Sequence, residues 1–308
     1  MVTMKDIQSA REQIADVVYQ TPILSSFQLS KICGNQMFLK SEHLQKTGSF
    51  KIRGATNKVK NAVRNGATFI SAASSGNHGQ AVAYIASKLG VPSVIVVPED
   101  AKDTKLNAIR SYGGKFEKCG WTSAERLPRA KALAEENDGV FIPPYDDPLI
   151  IAGQGTIGAE ILEQLDHVDM VVVPIGGGGL ISGILTAIKE TNPGVLVIGV
   201  EPEIANDTYL SLKNDKITSI PATSTIADGL RTSQPGDLTF PIVQKYVDDI
   251  VLVKEEEIKE AQAFVLERMK QLIEPSGAVT AAAAMFDKLK VRDKRIVCVI
   301  SGGNVNVR

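Results

Sequence analysis

Four short stretches carry residue types from which chemistry can be built. The first is Lys46-Thr-Gly-Ser-Phe-Lys-Ile-Arg-Gly-Ala55, with Lys51 near its centre. Gly48 permits a turn, and Ser49 offers a cap to a helix that starts near Phe50. A lysine on a first helical turn faces the positive end of the helix dipole. That field favours the neutral amine, the form that attacks a carbonyl to make a Schiff base. An ordinary surface lysine is the competing reading. The second stretch is Gly176-Gly-Gly-Gly179, between an apolar run and a helix. Four glycines cost backbone entropy and suggest no packing role of their own. Free N–H groups at a helix start suit a phosphate, with a plain tight turn as the alternative. No Gly-Lys-Ser/Thr follows, and the spacing is not that of a dinucleotide fingerprint, so a monophosphate fits better.

The third stretch, Ser74-Ser-Gly-Asn-His-Gly79, lies between a strand pattern and a helix pattern. Open α/β sheets bind ligands at such strand ends. Ser74, Asn77 and His78 are candidates to hold a carboxylate, against an ordinary helix cap. The fourth, Ser301-Gly-Gly-Asn304, ends the last apolar run. Its hydroxyl suits a ring nitrogen, against a simple Gly/Asn turn. An amine, a phosphate cradle, a carboxylate loop and a ring-nitrogen partner are the parts that pyridoxal phosphate requires.

The elements that position these loops form an alternating α/β pattern. An amphipathic first helix (Ile7, Ala10, Ile14, Val17, Val18) precedes a break at Tyr19-Gln-Thr-Pro22 and a short apolar run from Met37 to Leu39. A helix from Phe50 to about Val63 ends near Asn65-Gly66. Strands are expected at 68–71, 93–98, 115–118 and 140–142, with helices at 78–89, 103–112 and 123–136 between them. Pro143-Pro-Tyr-Asp-Asp-Pro148 reads as a crossing to a second body. There, apolar runs at 169–174, 195–200, 249–253 and 295–300 alternate with helices at 149–165, 180–189, 255–272 and from Gly277 onward. Continuous apolar runs of strand length indicate parallel sheets covered on both faces. The fold class is therefore α/β with two open-sheet domains. The larger spans 1–52 and 145–308, and the smaller, 53–144, is inserted in it.

The 308 residues, 44% hydrophobic and 22% charged, suffice for one large or two ordinary domains. A net charge of −1 gives no footprint for nucleic acid or an anionic membrane. No apolar run reaches membrane-spanning length, and the N-terminus lacks a signal-peptide layout. Cys33, Cys119 and Cys298 lack metal spacing, and Cys298 reads as a buried small hydrophobe. A cytoplasmic setting is expected.

The motifs also carry a family resemblance over nearly the whole chain. Gly48-Ser-Phe-Lys-Ile-Arg-Gly54, Ser75-Gly-Asn-His78, Pro143-Pro-Tyr-Asp-Asp-Pro148, Ala152-Gly-Gln-Gly-Thr156, Gly176 to Gly179 and Ser301-Gly-Gly-Asn304 follow in one order. Together they resemble the fold type II, tryptophan synthase beta-like pyridoxal-phosphate enzymes of the threonine dehydratase and serine racemase group. The resemblance implies Lys51 as the Schiff-base lysine and Gly176, Gly177, Gly178 and Gly179 as the phosphate loop. It implies Phe50 against the cofactor ring, Asn77 at its 3-hydroxyl and Ser301 at its pyridine nitrogen. Ser74, Ser75, Gly76, Asn77 and His78 would bind the substrate carboxylate.

The implied activity is dehydration and deamination of L-threonine and L-serine to a 2-keto acid and ammonia. Serine racemisation, alone or alongside it, and a threo-3-hydroxyaspartate ammonia-lyase are the alternatives. A non-catalytic cofactor carrier would have no need of Lys51, Ser75, Asn77 and the glycine loop together. Racemisation needs a second acid–base group, and the double serine Ser74-Ser75 resembles the racemases in offering Ser75. Glu201-Pro-Glu-Ile-Ala205-Asn-Asp207 resembles their divalent-cation site. Glu201, the Ala205 carbonyl and Asp207 would hold Mg²⁺, Mn²⁺ or Ca²⁺, with a solvated acidic loop as the competing reading. Arg126 resembles a substrate-side arginine of the racemases only loosely, and a solvated helix arginine is the favoured reading. The Ile142 to Pro148 and Val173 to Gly179 stretches resemble catabolic threonine dehydratases. A homodimer acting on a small hydroxy amino acid is expected.

Overall fold

A computed structural model of the protein describes residues 1–305. Helix α1 (Met4–Ile14) opens with a capping box in which Thr3 and Asp6 satisfy each other's backbone N–H groups. Strand β1 (Ile23–Ser25), helix α2 (Phe27–Cys33) and strand β2 (Gln36–Ser41) follow. Two 3₁₀ turns, Glu42–Leu44 and Lys46–Gly48, then lead to α3 (Lys51–Arg64). The next stretch alternates regularly through β3 (Ile70–Ala73), α4 (Asn77–Lys88), β4 (Ser93–Val97), α5 (Asp103–Ser111), β5 (Lys115–Lys118), α6 (Ser123–Glu136) and β6 (Val140–Phe141). The last comprises α7 (Pro148–Gln164), β7 (Met170–Pro174), α8 (Gly179–Thr191), β8 (Leu196–Pro202), α9 (Asp207–Lys213), α10 (Thr239–Tyr246), β9 (Asp249–Val253), α11 (Glu255–Met269), α12 (Pro275–Met285) and β10 (Arg295–Ile300).

Two sheets result. Strands β5-β4-β3-β6 form an all-parallel four-stranded sheet. Strands β1-β2-β10-β7-β8-β9 form a six-stranded sheet, parallel except for the antiparallel edge pair β1–β2. Strand β2 contains the apolar run Met37 to Leu39, whereas its edge partner β1 and helices α2, α9 and α10, being short, have no clear sequence signal. Strand β3 also sits two residues later than its apolar pattern begins.

The continuous apolar runs feed two cores at once. Val171, Val173, Val197, Val297 and Val299 pack with α1, α7, α8 and α10 on one face of the larger sheet. Val172, Ile198, Val200, Ile296, Cys298 and Ile300 pack with α2, α11 and α12 on the other. Alternation along a strand thus sends every second residue to an opposite core, and no polar face is left. Cys298 is fully buried, and burial pushes its thiol well above the ordinary range. No helix among the described residues is long and apolar enough to cross a membrane.

Below the larger sheet's edge lies a fully enclosed charge cluster. Arg53 on α3 reaches Glu42 through Nε (2.8 Å) and Nη2 (2.9 Å), and Glu160 on α7 through Nη1 (2.6 Å) and Nη2 (2.9 Å). Lys40 of β2 adds a second cation on Glu160 at 2.6 Å. This cluster fastens the start of α3 to β2 and α7 two residues beyond Lys51.

Candidate active site

Lys51 is the first residue of α3, and Phe50 before it is already helical. Ser49 does not cap the helix. It is extended, pairs through its backbone with Gly302, and its hydroxyl is buried without a partner. The cap is lost because the chain enters α3 through Phe50, whose N–H donates to Ser301 O at 3.0 Å. That bond places Ser301, buried at the end of β10, directly beside the lysine turn. Lys51 Nζ donates to Pro144 O at 2.6 Å and lies 5.2 Å from the centre of the Phe50 ring. Burial pulls its pKa down to about 8, while the Glu274 carboxylate opposes the fall.

The glycine run follows β7 and leads into α8. Gly178 has φ 89°, and no side chain caps α8, so its leading N–H groups are free for an anion. The glycines have packing reasons as well, contrary to the expectation from sequence. A Cβ at Gly177 would enter the Tyr145 ring, one at Gly179 would lie 2.9 Å from Tyr145 Cβ, and one at Gly178 would lie 2.7 Å from Thr239 Oγ1. Gly176 is tight against the Gly229 carbonyl, 3.1 Å from where its Cβ would stand. Tyr145 adjoins Pro144, so one dipeptide touches both the lysine and the glycine loop.

The Pro143–Pro148 segment is more than a crossing. Asp146 accepts from Leu238 N (2.9 Å) and Thr239 N (3.2 Å) at the start of α10, and Asp147 accepts from Leu149 N (2.8 Å) to cap α7. Thr239 Oγ1 in turn donates to Gly177 O at 2.8 Å. The segment therefore holds two helix starts around the loop.

Residues Ser74 to Asn77 form a half-buried bend between β3 and α4. Ser74 Oγ accepts from Gly76 N at 3.2 Å, and a side chain at Gly79 would collide with Ser74 O. Gly76 occupies the N-cap position without a side-chain cap, leaving the first N–H groups of α4 open. Asn77 donates from Nδ2 to Glu274 at 2.7 Å. His78 turns inward instead. It is buried, and Nε2 donates to Ile142 O at 2.9 Å. Burial first, and then the Lys51 charge, push its pKa down to about 3, so the ring is neutral.

The acidic loop is a separate place. Glu201, at the end of β8, accepts from Thr208 N (3.0 Å) and Tyr209 N (2.8 Å) of α9. Asp207 accepts from Thr232 Oγ1 at 3.3 Å, and Ala205 is fully buried beside it. Burial, then the neighbouring Asp207, raise Glu201 to about 8, and burial raises Asp207 to about 7. Among the described residues neither enclosed acid has a salt-bridge partner, and a divalent ion would relieve the pair. Arg126, near the start of α6, is not solvated. It is half-buried, Nε and Nη1 lack partners, and Nη2 reaches Ser123 Oγ at 3.2 Å.

Sequence reasoning missed Tyr145, Glu274 and Asn304. Tyr145 sat inside a quoted motif without a role. Glu274 stands immediately before Pro275 at the start of α12, a position that signals an N-cap and nothing more.

A half-buried lysine beside a buried serine turn, linked through Pro144 and Tyr145 to the glycine loop and the uncapped start of α8, suits an aldehyde cofactor bearing a phosphate. The chain belongs to the pyridoxal-phosphate-dependent enzyme family, whose model matches residues 14–302. Within the family it is 45% identical to an L-threonine ammonia-lyase of Thermotoga maritima, over all of this chain and 77% of that one. It is 42% identical to a serine racemase of Dictyostelium discoideum, over 99% of this chain and 96% of the other. Among solved structures, maize serine racemase superposes with a TM-score of 0.96 at 38% identity, covering 99% of this chain and 94% of that one. The architecture is accordingly the α/β fold of the type II group. The residues fit pyridoxal phosphate: an amine of lowered pKa, free amides at α8, the Phe50 ring, and Ser301 within the same cluster.

Proposed function

We propose that this enzyme removes the hydroxyl and amino groups of L-threonine and L-serine, giving a 2-keto acid and ammonia. The observation that carries this reading is the half-buried Lys51, whose Nζ is held between Pro144 O and the Phe50 ring and whose pKa is lowered to about 8. Bound pyridoxal phosphate supplies an aldehyde that condenses with amines and a ring that draws electrons from the α-carbon. Lys51 holds the cofactor and, once displaced, takes the substrate's α-proton at Nζ. Its low pKa keeps a useful fraction neutral near pH 7 to 8.

Gly176 to Gly179 bind the phosphate through the amides leading into α8. The amides at the start of α4, with Ser74, Ser75 and Asn77, orient the substrate carboxylate. Ser301 would serve the ring nitrogen as a neutral partner, Phe50 would hold the ring, and Asn77 would serve the ring hydroxyl. His78 supports the loop from behind through Ile142. The smaller body, residues 53–144, brings the carboxylate loop, and the larger, 1–52 and 145–308, brings the remainder. Glu201, the Ala205 carbonyl and Asp207 take a divalent cation that stabilises their loop, away from the chemistry. The enzyme works as a cytoplasmic homodimer.

Racemisation of serine is the second reading. It is favoured by Ser75, one residue before the uncapped start of α4, where the helix field lowers the cost of a deprotonated hydroxyl. The test is incubation of the holoenzyme with L-threonine, L-serine and threo-3-hydroxyaspartate, with and without EDTA, assaying keto acid and D-serine. Keto acid from L-threonine and L-serine is expected, and Ser75→Ala is expected to spare it while losing D-serine. D-serine without keto acid would reverse the two readings. Equal loss of both products in Ser75→Ala would remove its assigned role, and failure on all three substrates would discard the proposal.

A further inference from the structure

The four-stranded sheet and its helices are joined to the rest of the chain by ties of unequal strength. Helix α3, which leads into them, is fastened through Arg53 to the enclosed Glu42 and Glu160, and through Lys58 to Asp147 at 2.7 Å. Beyond α3, a single salt bridge among the described residues joins residues 65–144 to the elements of the larger sheet. It runs from Lys105 Nζ to Asp228 Oδ2 at 2.7 Å, and the two side chains are 33% and 46% exposed. An enclosed ion cluster comes apart only at a large cost, whereas an exposed pair holds weakly and yields readily. One end of the connection is therefore fixed and the other releasable.

The releasable pair stands between the two loops that matter. Strands β3 and β4 are parallel neighbours, so the loops that follow them leave the sheet at the same edge. The first is the Ser74–Asn77 bend. The second leads into α5, whose third residue is Lys105. On the other body Asp228 opens a short 3₁₀ turn, Asp228–Leu230. That turn is firmly seated. Gly229 N donates to Ser276 Oγ at 2.9 Å at the start of α12, and Ile226 N, just before the turn, donates to Glu255 at 2.7 Å. The turn also leans on the glycine loop: Gly229 O and Leu230 Cα stand 3.1 and 3.3 Å from where a Cβ on Gly176 would lie. A flexible lysine arm from beside the carboxylate loop thus reaches a rigid acid set against the phosphate loop.

We propose that Lys105 and Asp228 are positioning residues whose salt bridge latches the substrate-carboxylate loop over the phosphate loop and releases to admit substrate and free product. The inference rests on the pyridoxal-phosphate lyase reading of those two loops. The weakness of the pair suits this role. An exposed ion pair shifts an equilibrium by at most about fivefold. That is enough to favour the assembled site and too little to trap what is inside it.

The experiment uses holoenzyme and two readouts, keto acid formed from L-threonine and energy transfer from Trp121 to the bound cofactor. Trp121 is the only tryptophan of the chain and is exposed on the loop after β5, so transfer reports how near the four-stranded sheet stands to the cofactor. Lys105→Met and Asp228→Asn should each raise the KM for L-threonine about two- to fivefold with kcat nearly unchanged, because a smaller fraction of the enzyme is ready to bind. Both should lower the transfer, and the double variant should be no worse than either single one. Added KCl should bring the wild-type KM towards that of the variants, whose own KM should move little. Burial and then Asp228 raise the Glu274 acid to about 7, and Lys105 opposes them, so an effect exerted through that acid would send the two variants in opposite directions. Opposite shifts, losses that multiply in the double variant, or a wild-type KM or transfer in either single variant overturn the inference. A wild-type holoenzyme that yields no keto acid overturns the lyase reading instead. The latch is then judged by transfer alone: a fall in both variants sustains it, and unchanged transfer overturns it.

Discussion

Replacing Arg53 with methionine probes the frame beneath Lys51. The cluster holds two cations, Lys40 and Arg53, and two carboxylates, Glu42 and Glu160, all essentially shut from water. Arg53→Met keeps most of the side-chain volume but leaves one net negative charge enclosed. It also removes four hydrogen bonds between 2.6 and 2.9 Å, and weaker ones to Thr156 Oγ1 (3.1 Å) and Tyr19 O (3.2 Å). Breaking one side of a buried ionic cluster costs about 3–5 kcal/mol, because the remaining charge is uncompensated. The loss has a direction in pH. Burial pushes the Glu42 carboxyl up, but Arg53 and Lys40 more than offset this and hold it below the ordinary value. A depressed acid contributes stability above its unfolded pKa of about 4.3 and loses it as pH falls through the folded value. Without Arg53 the burial effect prevails, the folded pKa rises, and protonation relieves the variant. Urea unfolding at pH 7.5 and pH 4.5 should therefore show a large deficit that narrows in acid. A deficit below about 1 kcal/mol at pH 7.5, the range of an exposed pair, would refute the reasoning. So would a deficit that does not change with pH.

Two further perturbations address the site itself. The rate at which apoprotein takes up pyridoxal phosphate should rise with pH with a midpoint near about 8, since the neutral Lys51 amine is the attacking form and burial sets its pKa there. Stopped-flow absorbance between pH 6.5 and 9.5 measures it, and a rate still rising steeply at pH 9.5 would show that burial does not lower the pKa of Lys51. Gly177→Ala forces a methyl into the Tyr145 ring, and overpacking of this kind costs about 1–3 kcal/mol. Weaker cofactor binding in that variant, read from the visible band as apoprotein is titrated with pyridoxal 5′-phosphate, is the expected outcome.

The layout was legible because each strand run is bounded by Gly, Pro or polar breaks, and because α/β alternation leaves few topologies. The strands 115–118, 249–253 and 295–300 and the helix 123–136 fall where their patterns place them. Helix α1 differs, since Val17 and Val18 lie beyond its end and belong to the turn that follows. The loops at Lys51, Asn77, Gly176 and Ser301 were legible as strand ends. Their mutual placement was not, because it depends on bonds such as Phe50 N to Ser301 O that join distant parts of the chain. The same limit hid Glu274, which reaches Asn77 across 197 positions. A lone acid before a proline has a local meaning, and only the fold adds the second one.

Ser49 and the glycine run show how a local rule yields to its surroundings. A serine before a helix ordinarily caps it. Here the strand end at Ser301 takes the N–H of Phe50, and Ser49 is drawn into a bridge with Gly302. The helix start is thereby fixed by β10, the strand whose end also presents Ser301. In the same way the glycines serve both Tyr145 and the free amides of α8. Tyr145 can lie against the loop only where side chains are missing, and its neighbour Pro144 supplies the carbonyl that holds Lys51 Nζ. Packing and chemistry are thus joined through one dipeptide. A substitution that moves Tyr145 should disturb the amine as well as the anion site, which a flexible glycine turn acting alone would not do.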